Sequence, residues 1–119
     1  MRATIEAVAY QTHDLFEAMK HDGLRPKIVK VDGGMVMNNW FSQFLSDIVN
    51  VKVLRPKVQE TTALGAAFMA GLYIGIYKSL KDISKNWNLD KKFSPKMKNK
   101  SRTILIKGWE KAVKRALIN

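Results

Sequence analysis

Residues 27–40, KIVKVDGGMVMNNW, change character halfway. An apolar, β-branched run with Lys spacers ends at Asp32, Gly33 and Gly34 follow, and the chain resumes with Met, Val, Asn and Trp as if to begin a helix. Glycine loses more backbone freedom on folding than any other residue, so a junction that uses two needs positive φ or the close approach of another group. A strand that ends in a Gly-rich turn and feeds a helix presents free main-chain N–H groups, which suits a phosphate or a nucleotide. The pattern is not a Walker A loop, since no Gly-Lys-Ser/Thr follows, and it is not G-x-G-x-x-G. Two readings stay open: a tight structural turn, or a ligand loop. Asn38 and Asn39 come next, where an asparagine either caps a helix or offers its amide, donor and acceptor together, to a nucleobase edge.

The other polar residues supply no catalyst. His13 and His21 are eight apart with no second pair of donors in view, so both read as surface residues rather than metal ligands. Asp14 and Glu17, three apart, read as a solvated helix face. Glu60 stands before a helix and favours its dipole. With no cysteine there is no disulfide scaffold and no cysteine-ligated metal. The residues by themselves give a candidate binding turn, no catalytic set and no metal site.

The elements that must position that turn follow from periodicity. Ile5, Val8, Ala9, Leu15, Phe16 and Met19 recur at helical spacing over residues 3–21, and Asp22-Gly23 with Pro26 close the helix. Residues 27–31 alternate Lys with β-branched residues, as a short strand does. Val36, Trp40, Phe41, Phe44, Leu45 and Ile48 mark a second helix to about Asn50, and residues 51–54, VKVL, a second strand that stops at Arg55-Pro56. Thr61 or Thr62 caps a third helix whose small and apolar face, Ala63, Ala66, Ala67, Ala70 and Gly71, reads as buried against another backbone. A polar loop from Asn86 to Ser101 and an amphipathic helix with Leu105, Trp109, Ala112, Val113 and Ala116 complete the chain. Helix and strand alternate, which predicts an α/β fold with short parallel strands covered by helices. Two such strands make a very small sheet, so the chain either borrows strands or is a piece of a longer protein.

At 119 residues this is one domain at most, and its 46% hydrophobic content is that of a globular chain. The net charge of +11 is concentrated at one end: residues 81–119 hold 12 Lys or Arg against 3 Asp or Glu, net +9, leaving +2 for the first 80. A basic tail opens the alternative of a non-catalytic basic module that binds nucleic acid or an anionic surface. Against nucleic acid, 16 of the 21 basic residues are Lys, and the tail has no aromatic stacking pattern. No run of 18 apolar residues and no signal-peptide core occurs, so no membrane span is predicted, and the lack of cysteine fits a cytoplasmic location.

Four stretches in order resemble one family: residues 2–19 (RATIEAVAYQTHDLFEAM), 31–56 (VDGGMVMNNWFSQFLSDIVNVKVLRP), 60–72 (ETTALGAAFMAGL) and 108–116 (GWEKAVKRA). Together they are similar to the C-terminal part of glycerol kinases, members of the FGGY carbohydrate kinases with the actin-like, ribonuclease-H-like ATPase fold. The resemblance implies that residues 1–80 are the C-terminal half of the nucleotide-binding domain, and that 81–119 are a basic loop and a helix packed on it. It implies that Gly33 and Gly34 let the ADP moiety of ATP or ADP approach the main chain, that Asn38 touches the adenine, and that the helix from Thr61 to Leu72 is buried behind the nucleotide. It assigns Asn39 no ligand role.

What the resemblance leaves outside this chain is equally specific. Glycerol kinases are several times longer. The phosphate-binding loops, the Asp that acts as general base on glycerol, the Mg²⁺ ligands, the glycerol-binding residues and the first three strands of this domain are not matched here. Met1 stands where the family usually has an aliphatic residue, and so reads as an internal methionine exposed by truncation or a split frame. Residues 95–107, read as a loop, are far more basic than in many relatives, and that segment carries a regulatory protein contact in some bacterial members. The implied parent is a cytoplasmic homo-oligomer that transfers the ATP γ-phosphoryl group to glycerol, this chain being inactive alone. Another FGGY polyol or sugar kinase is the alternative within the family.

Overall fold

In the computed structural model, residues 2–58 and 60–118 are described; Met1, with the reading of it as an internal methionine, lies outside them, as do Gln59 and Asn119. The elements run α1 (Arg2–His21), β1 (Ile28–Lys30), a 3₁₀ turn (Gly34–Met37), α2 (Asn39–Val49), β2 (Lys52–Pro56), α3 (Thr61–Tyr73), α4 (Leu80–Ser84), β3 (Leu89–Phe93) and α5 (Asn99–Leu117). The expected α/β alternation is present. β1 and β2 are parallel, with Val29 opposite Val53, and α2 is the crossover between them.

The segment expected to be a polar loop contains β3, antiparallel to β2 with Phe93 opposite Val53 and an irregularity at Arg55/Pro56. Its sequence, LDKKF, hides the strand because only Phe93 is buried and Asp90, Lys91 and Lys92 are exposed. An edge strand with charged outward residues lacks the alternation of a half-buried one. The stretch 95–107, read as a loop, is largely the first half of α5.

Local chemistry accounts for the helix ends. After α1, Gly23 takes φ 85°, and the N–H groups of Gly23 and Leu24 donate to the carbonyls of Lys20 and Met19 at 3.0 and 2.9 Å, satisfying orphan carbonyls of the last turn. At the end of α2, Asn50 takes the left-handed conformation at φ 57°. Beyond α3 the chain hooks back, so that Tyr77 packs on Gly71, where a Cβ would meet its ring at 2.9 Å.

α2 carries the core. Phe41, Phe44, Leu45, Ile48 and Val49 pack with Ala9, Tyr10 and Phe16 of α1, Val36 of the turn, Val53 of β2 and Phe93 of β3. Ser46 Oγ donates to the Val51 carbonyl at 2.7 Å, so a fully buried hydroxyl is satisfied where α2 meets β2. α5 joins through aromatic contact: Trp109 stacks on Tyr10 at 5.5 Å, and its indole N–H donates to Asp14 at 2.7 Å. Burial raises the Tyr10 phenol above its ordinary pKa, with Glu6 adding to the effect. Leu15, assigned to the apolar stripe of α1, is instead 59% exposed.

α3 departs most from expectation. Of its residues only Gly71 is buried, and Met69, Tyr73 and Ile74 are exposed. The helix has no extensive packing partner among the described elements. The molecule is consequently long, 54 × 29 × 27 Å, with a radius of gyration of 17.3 Å, against about 14 Å for a compact chain of this length.

Asp47, buried at 8% exposure, fixes the approach to α5. Its Oδ1 accepts the main-chain N–H groups of Lys96 at 2.5 Å and Met97 at 3.1 Å, and the Gln43 amide at 3.1 Å. Asp47→Ala strands those donors and is expected to cost about 1–3 kcal/mol, read as a lower urea midpoint at unchanged m-value; Asp47→Asn, which keeps one acceptor oxygen, should cost less.

Candidate functional site

The two glycines have different reasons for being there. Gly33 adopts φ 90°, ψ 170°, a region that side chains other than hydrogen rarely enter. Gly34 has no positive φ, opens the 3₁₀ turn and is exposed. A Cβ at either residue would meet nothing within 4 Å. The fold therefore requires glycine at position 33, whereas at 34 neither conformation nor packing among the described residues explains it.

Arg55 holds the turn from beneath. Its side chain is 7% exposed. Nη1 donates to the carbonyls of Val36 at 2.8 Å and Met37 at 3.1 Å, while Nε and Nη2 reach Asp90 Oδ2 at 2.8 and 2.7 Å. The guanidinium also lies 5.5 Å from the Phe93 ring. Ser42 Oγ donates to the same Val36 carbonyl at 2.7 Å. The carbonyls of the turn are thus drawn inward, and the Gly33-Gly34 main chain is left at the surface.

Asn38 does what the local reading allows: its Oδ1 accepts from the N–H groups of Trp40 at 3.0 Å and Phe41 at 3.3 Å and so caps α2. Among the described residues its Nδ2 has no partner, and the residue is exposed. Asn39 is the first residue of α2 and is exposed. Gly34 and Asn38 are exposed and Gly33 is half-buried, at the two ends of the 3₁₀ turn that leads into α2. Beside them lies a groove of about 380 Å³ lined by Val8, Thr12, Val29, Val31, Met35 and Phe41, among others.

Elsewhere, His21 is exposed as expected but His13 is not: its side chain is 15% exposed, between Asp14 and Glu17 at 3.6 Å each. It lies on the side of α1 turned toward the interior, a position that two isolated histidines in a sequence do not reveal. Asp14 binds Trp109, and Glu17 bonds Lys20, which lowers the Glu17 carboxyl below its ordinary pKa. Glu60 occupies the N-cap position of α3 without a side-chain capping bond. Among the described residues no group of three or more His, Cys, Asp or Glu could hold a metal ion. Sequence reasoning missed Arg55, Asp90 and Ser42; the available signal was Arg55 two residues after Val53, on the inward face of β2.

The pattern of the FGGY family of carbohydrate kinases, C-terminal domain, matches residues 1–73. The chain belongs to the FGGY family of carbohydrate kinases. It is 55% identical over 118 residues to the glycerol kinase of Thermoanaerobacter pseudethanolicus, and 52% identical to that of Caldanaerobacter subterraneus subsp. tengcongensis. Each alignment covers 98% of this chain and 24% of the relative, so the chain spans about a quarter of the length of the curated relatives it matches. In three dimensions it is similar to the crystal structure of Plasmodium falciparum glycerol kinase with ADP, with TM-score 0.83 and 39% identity over 99% of this chain and 24% of that one. The xylulose kinase of Lactobacillus acidophilus, at 23% identity and TM-score 0.80 over 98% of this chain and 24% of that one, shares the fold. Among the described residues the sheet has three strands, the parallel pair of the βαβ unit and the antiparallel β3.

The two glycines should respond differently to a methyl group. Gly33→Ala should lose about 1–3 kcal/mol to backbone strain, whereas Gly34→Ala should stay within about 0.5 kcal/mol of the parent. Arg55→Met, which leaves the Met37 carbonyl and Asp90 without the guanidinium and the Val36 carbonyl with Ser42 alone, should cost about 1.5–3 kcal/mol. Urea denaturation checks all three, and equal losses at the two glycines would contradict the assignment.

Proposed function

We propose that this chain forms part of the adenine-nucleotide side of an ATP-dependent glycerol kinase, which transfers the γ-phosphoryl group of ATP to glycerol to give sn-glycerol 3-phosphate and ADP. The observation that carries the reading is Gly34: a glycine with open space above it and no need for it within the chain, on the main chain of a protein 55% identical to a glycerol kinase. A nucleotide resting on that main chain supplies the missing reason, because any side chain at position 34 would stand in its place.

In this reading residues 1–80 belong to the nucleotide-binding domain and 81–119 pack on it. Gly33 and Gly34 present main chain to the ADP moiety, Arg55 keeps that turn from shifting, and Asn38 directs its free Nδ2 toward the adenine. The residues that deprotonate glycerol, hold Mg²⁺ and bind glycerol belong to the polypeptide outside this chain, as does most of the transition-state charge stabilisation such transfers need. A cytoplasmic, homo-oligomeric parent is part of the same proposal and rests on family likeness.

A hybrid enzyme tests the proposal: the glycerol kinase of T. pseudethanolicus with its matching quarter replaced by this chain. The hybrid should phosphorylate glycerol, while the 119-residue chain alone should show no activity and weak or no ADP binding by calorimetry. Asn38→Asp keeps a capping oxygen but removes the Nδ2 donor, and Gly34→Val fills the space over the turn. Each should raise the KM for ATP about tenfold or more, a loss of about 1.4 kcal/mol, without lowering the Tm of the hybrid by more than a degree or two. A folded hybrid that phosphorylates glycerol with unchanged KM for ATP in both variants would remove the turn from the nucleotide site.

A further inference from the structure

The two sides of α5 differ in chemistry. Toward the core, Leu105 and Trp109 pack on the hydrophobic cluster, and Arg102 donates to the Asp47 carbonyl at 3.2 Å and to Asn50 Oδ1 at 2.6 Å. Lys100, Lys107, Lys111, Lys114 and Arg115 are exposed. Steps of seven, four and three residues bring Lys100, Lys107, Lys111 and Lys114 back to one face of an α-helix, the face opposite Leu105 and Trp109, and Arg115 follows Lys111 by four. The row is about 21 Å long. Ile104, 61% exposed, sits within it.

None of these five cations forms an ion pair among the described residues, and Glu110, the one acid of α5, forms none either. Like charges three and four residues apart repel on a helix. Lys107 with Lys111, Lys111 with Lys114, and Lys111 with Arg115 are such pairs, so the face is stabilised by an anionic neighbour that the described residues do not supply. Five cations are also costly to take out of water without partners, which opposes covering this face by ordinary apolar packing. Beside the row, a groove of about 360 Å³ is lined by Ala3 and Ala7 of α1 and by Ile104, Gly108 and Ala112 of α5, among others. Its one charged lining residue, Glu6, is paired with Arg2 at 2.6 Å.

We propose that the outward face of α5 docks on an anionic membrane surface, with its lysines at the level of the lipid headgroups and Ile104 and the rim of the groove at the acyl boundary. Charge complementarity selects an anionic partner, and three features select a bilayer over nucleic acid. Every member of the row but Arg115 is Lys, a point charge that suits headgroup phosphates of no fixed geometry. The side chain set within the row is aliphatic, so no base can stack on it. An apolar trough lies alongside, as on helices that rest in the membrane interface. No helix among the described residues is long and apolar enough to cross a membrane, so the contact is peripheral. This property is additional to phosphoryl transfer and does not depend on it.

Co-sedimentation with vesicles tests this on the 119-residue chain and on the hybrid kinase, with bound protein rather than activity as the readout. Both should bind vesicles of about 30% phosphatidylserine in phosphatidylcholine at low salt, ignore pure phosphatidylcholine, and dissociate at about 0.5 M salt. Lys107→Gln, Lys111→Gln and Lys114→Gln combined should weaken binding about a hundredfold, which is about fivefold for each charge. Ile104→Ser should weaken it about threefold or more. A control of the same net charge, combining Lys27→Gln, Lys52→Gln and Lys78→Gln, should bind within about threefold of the parent. Equal losses in the two triple variants would reduce the effect to net charge and overturn the proposal. So would binding by the chain alone that the hybrid lacks, equal binding to uncharged vesicles, or no loss in Ile104→Ser. Tighter binding to duplex DNA than to the vesicles would overturn it in favour of nucleic acid. A hybrid that binds vesicles yet does not phosphorylate glycerol would refute the kinase reading and leave membrane docking standing.

Discussion

The buried guanidinium of Arg55 is the constraint on which the candidate site depends. A charge taken out of water costs several kcal/mol unless its donors are satisfied, and Arg55 satisfies them with groups from two separate segments. The carbonyls of Val36 and Met37 come from the turn after β1, and Asp90 comes from β3. Burial of one side chain therefore fixes the height of the glycine turn above β2 and the position of β3 beside it. A lysine has its three donors on one nitrogen, whereas Arg55 uses Nε, Nη1 and Nη2 separately in one plane, which is the physical reason for arginine here. Asp90 is 40% exposed, so the pair is anchored at its outer end in solvent and its Coulomb term is screened. The main-chain bonds inside do most of the positioning.

The second constraint is the shortage of partners. α1, α2 and the sheet bury a continuous core, yet α3 is apolar around its whole circumference and buries one residue. A helix of that composition is stable where it is surrounded. β1 paired on one side and α3 with one buried residue occur together in a chain that spans about a quarter of the length of its relatives. The small residues of α3 do not meet another helix extensively among the described elements; at Gly71 the close neighbour is Tyr77, from the hook that ends the helix.

Much of this was legible in the sequence where a residue's role is local. The strand, glycine pair, cap and helix from Lys27 to Val49 are set by turn chemistry and 3.6-residue spacing and appear in the expected order, except that the start of the expected helix, with Val36, is a separate 3₁₀ turn and α2 begins only at Asn39. The roles that escaped are those decided by partners distant in sequence. β3 exists because Phe93 reaches Val53, Arg55 is buried because Asp90 lies 35 residues away, and Asp47 is buried because the amides of Lys96 and Met97 arrive 49 and 50 residues later. A charged residue in a strand or helix reads as solvent-facing until such a partner is known. His13 follows the same logic, its burial set by helix packing that no motif announces.

Asn38 shows how a structural role narrows a functional one. From sequence its amide offers a donor and an acceptor together, enough to read a base edge in both directions. In the fold the Oδ1 is committed to the N–H groups of Trp40 and Phe41, a bond worth about 1 kcal/mol to α2 that a ligand would have to replace. Only the Nδ2 amide nitrogen, with its two N–H donors, remains for a base, and donors can meet only acceptors such as a ring nitrogen. Adenine and guanine share the acceptors N3 and N7, so a bond to either would orient a purine without distinguishing the two. Discrimination by this residue would require the adenine N1, which is an acceptor where guanine carries a hydrogen. The cap thus turns a general capacity for base recognition into a directional one, and any further selectivity for adenine must come from surfaces that close over the turn.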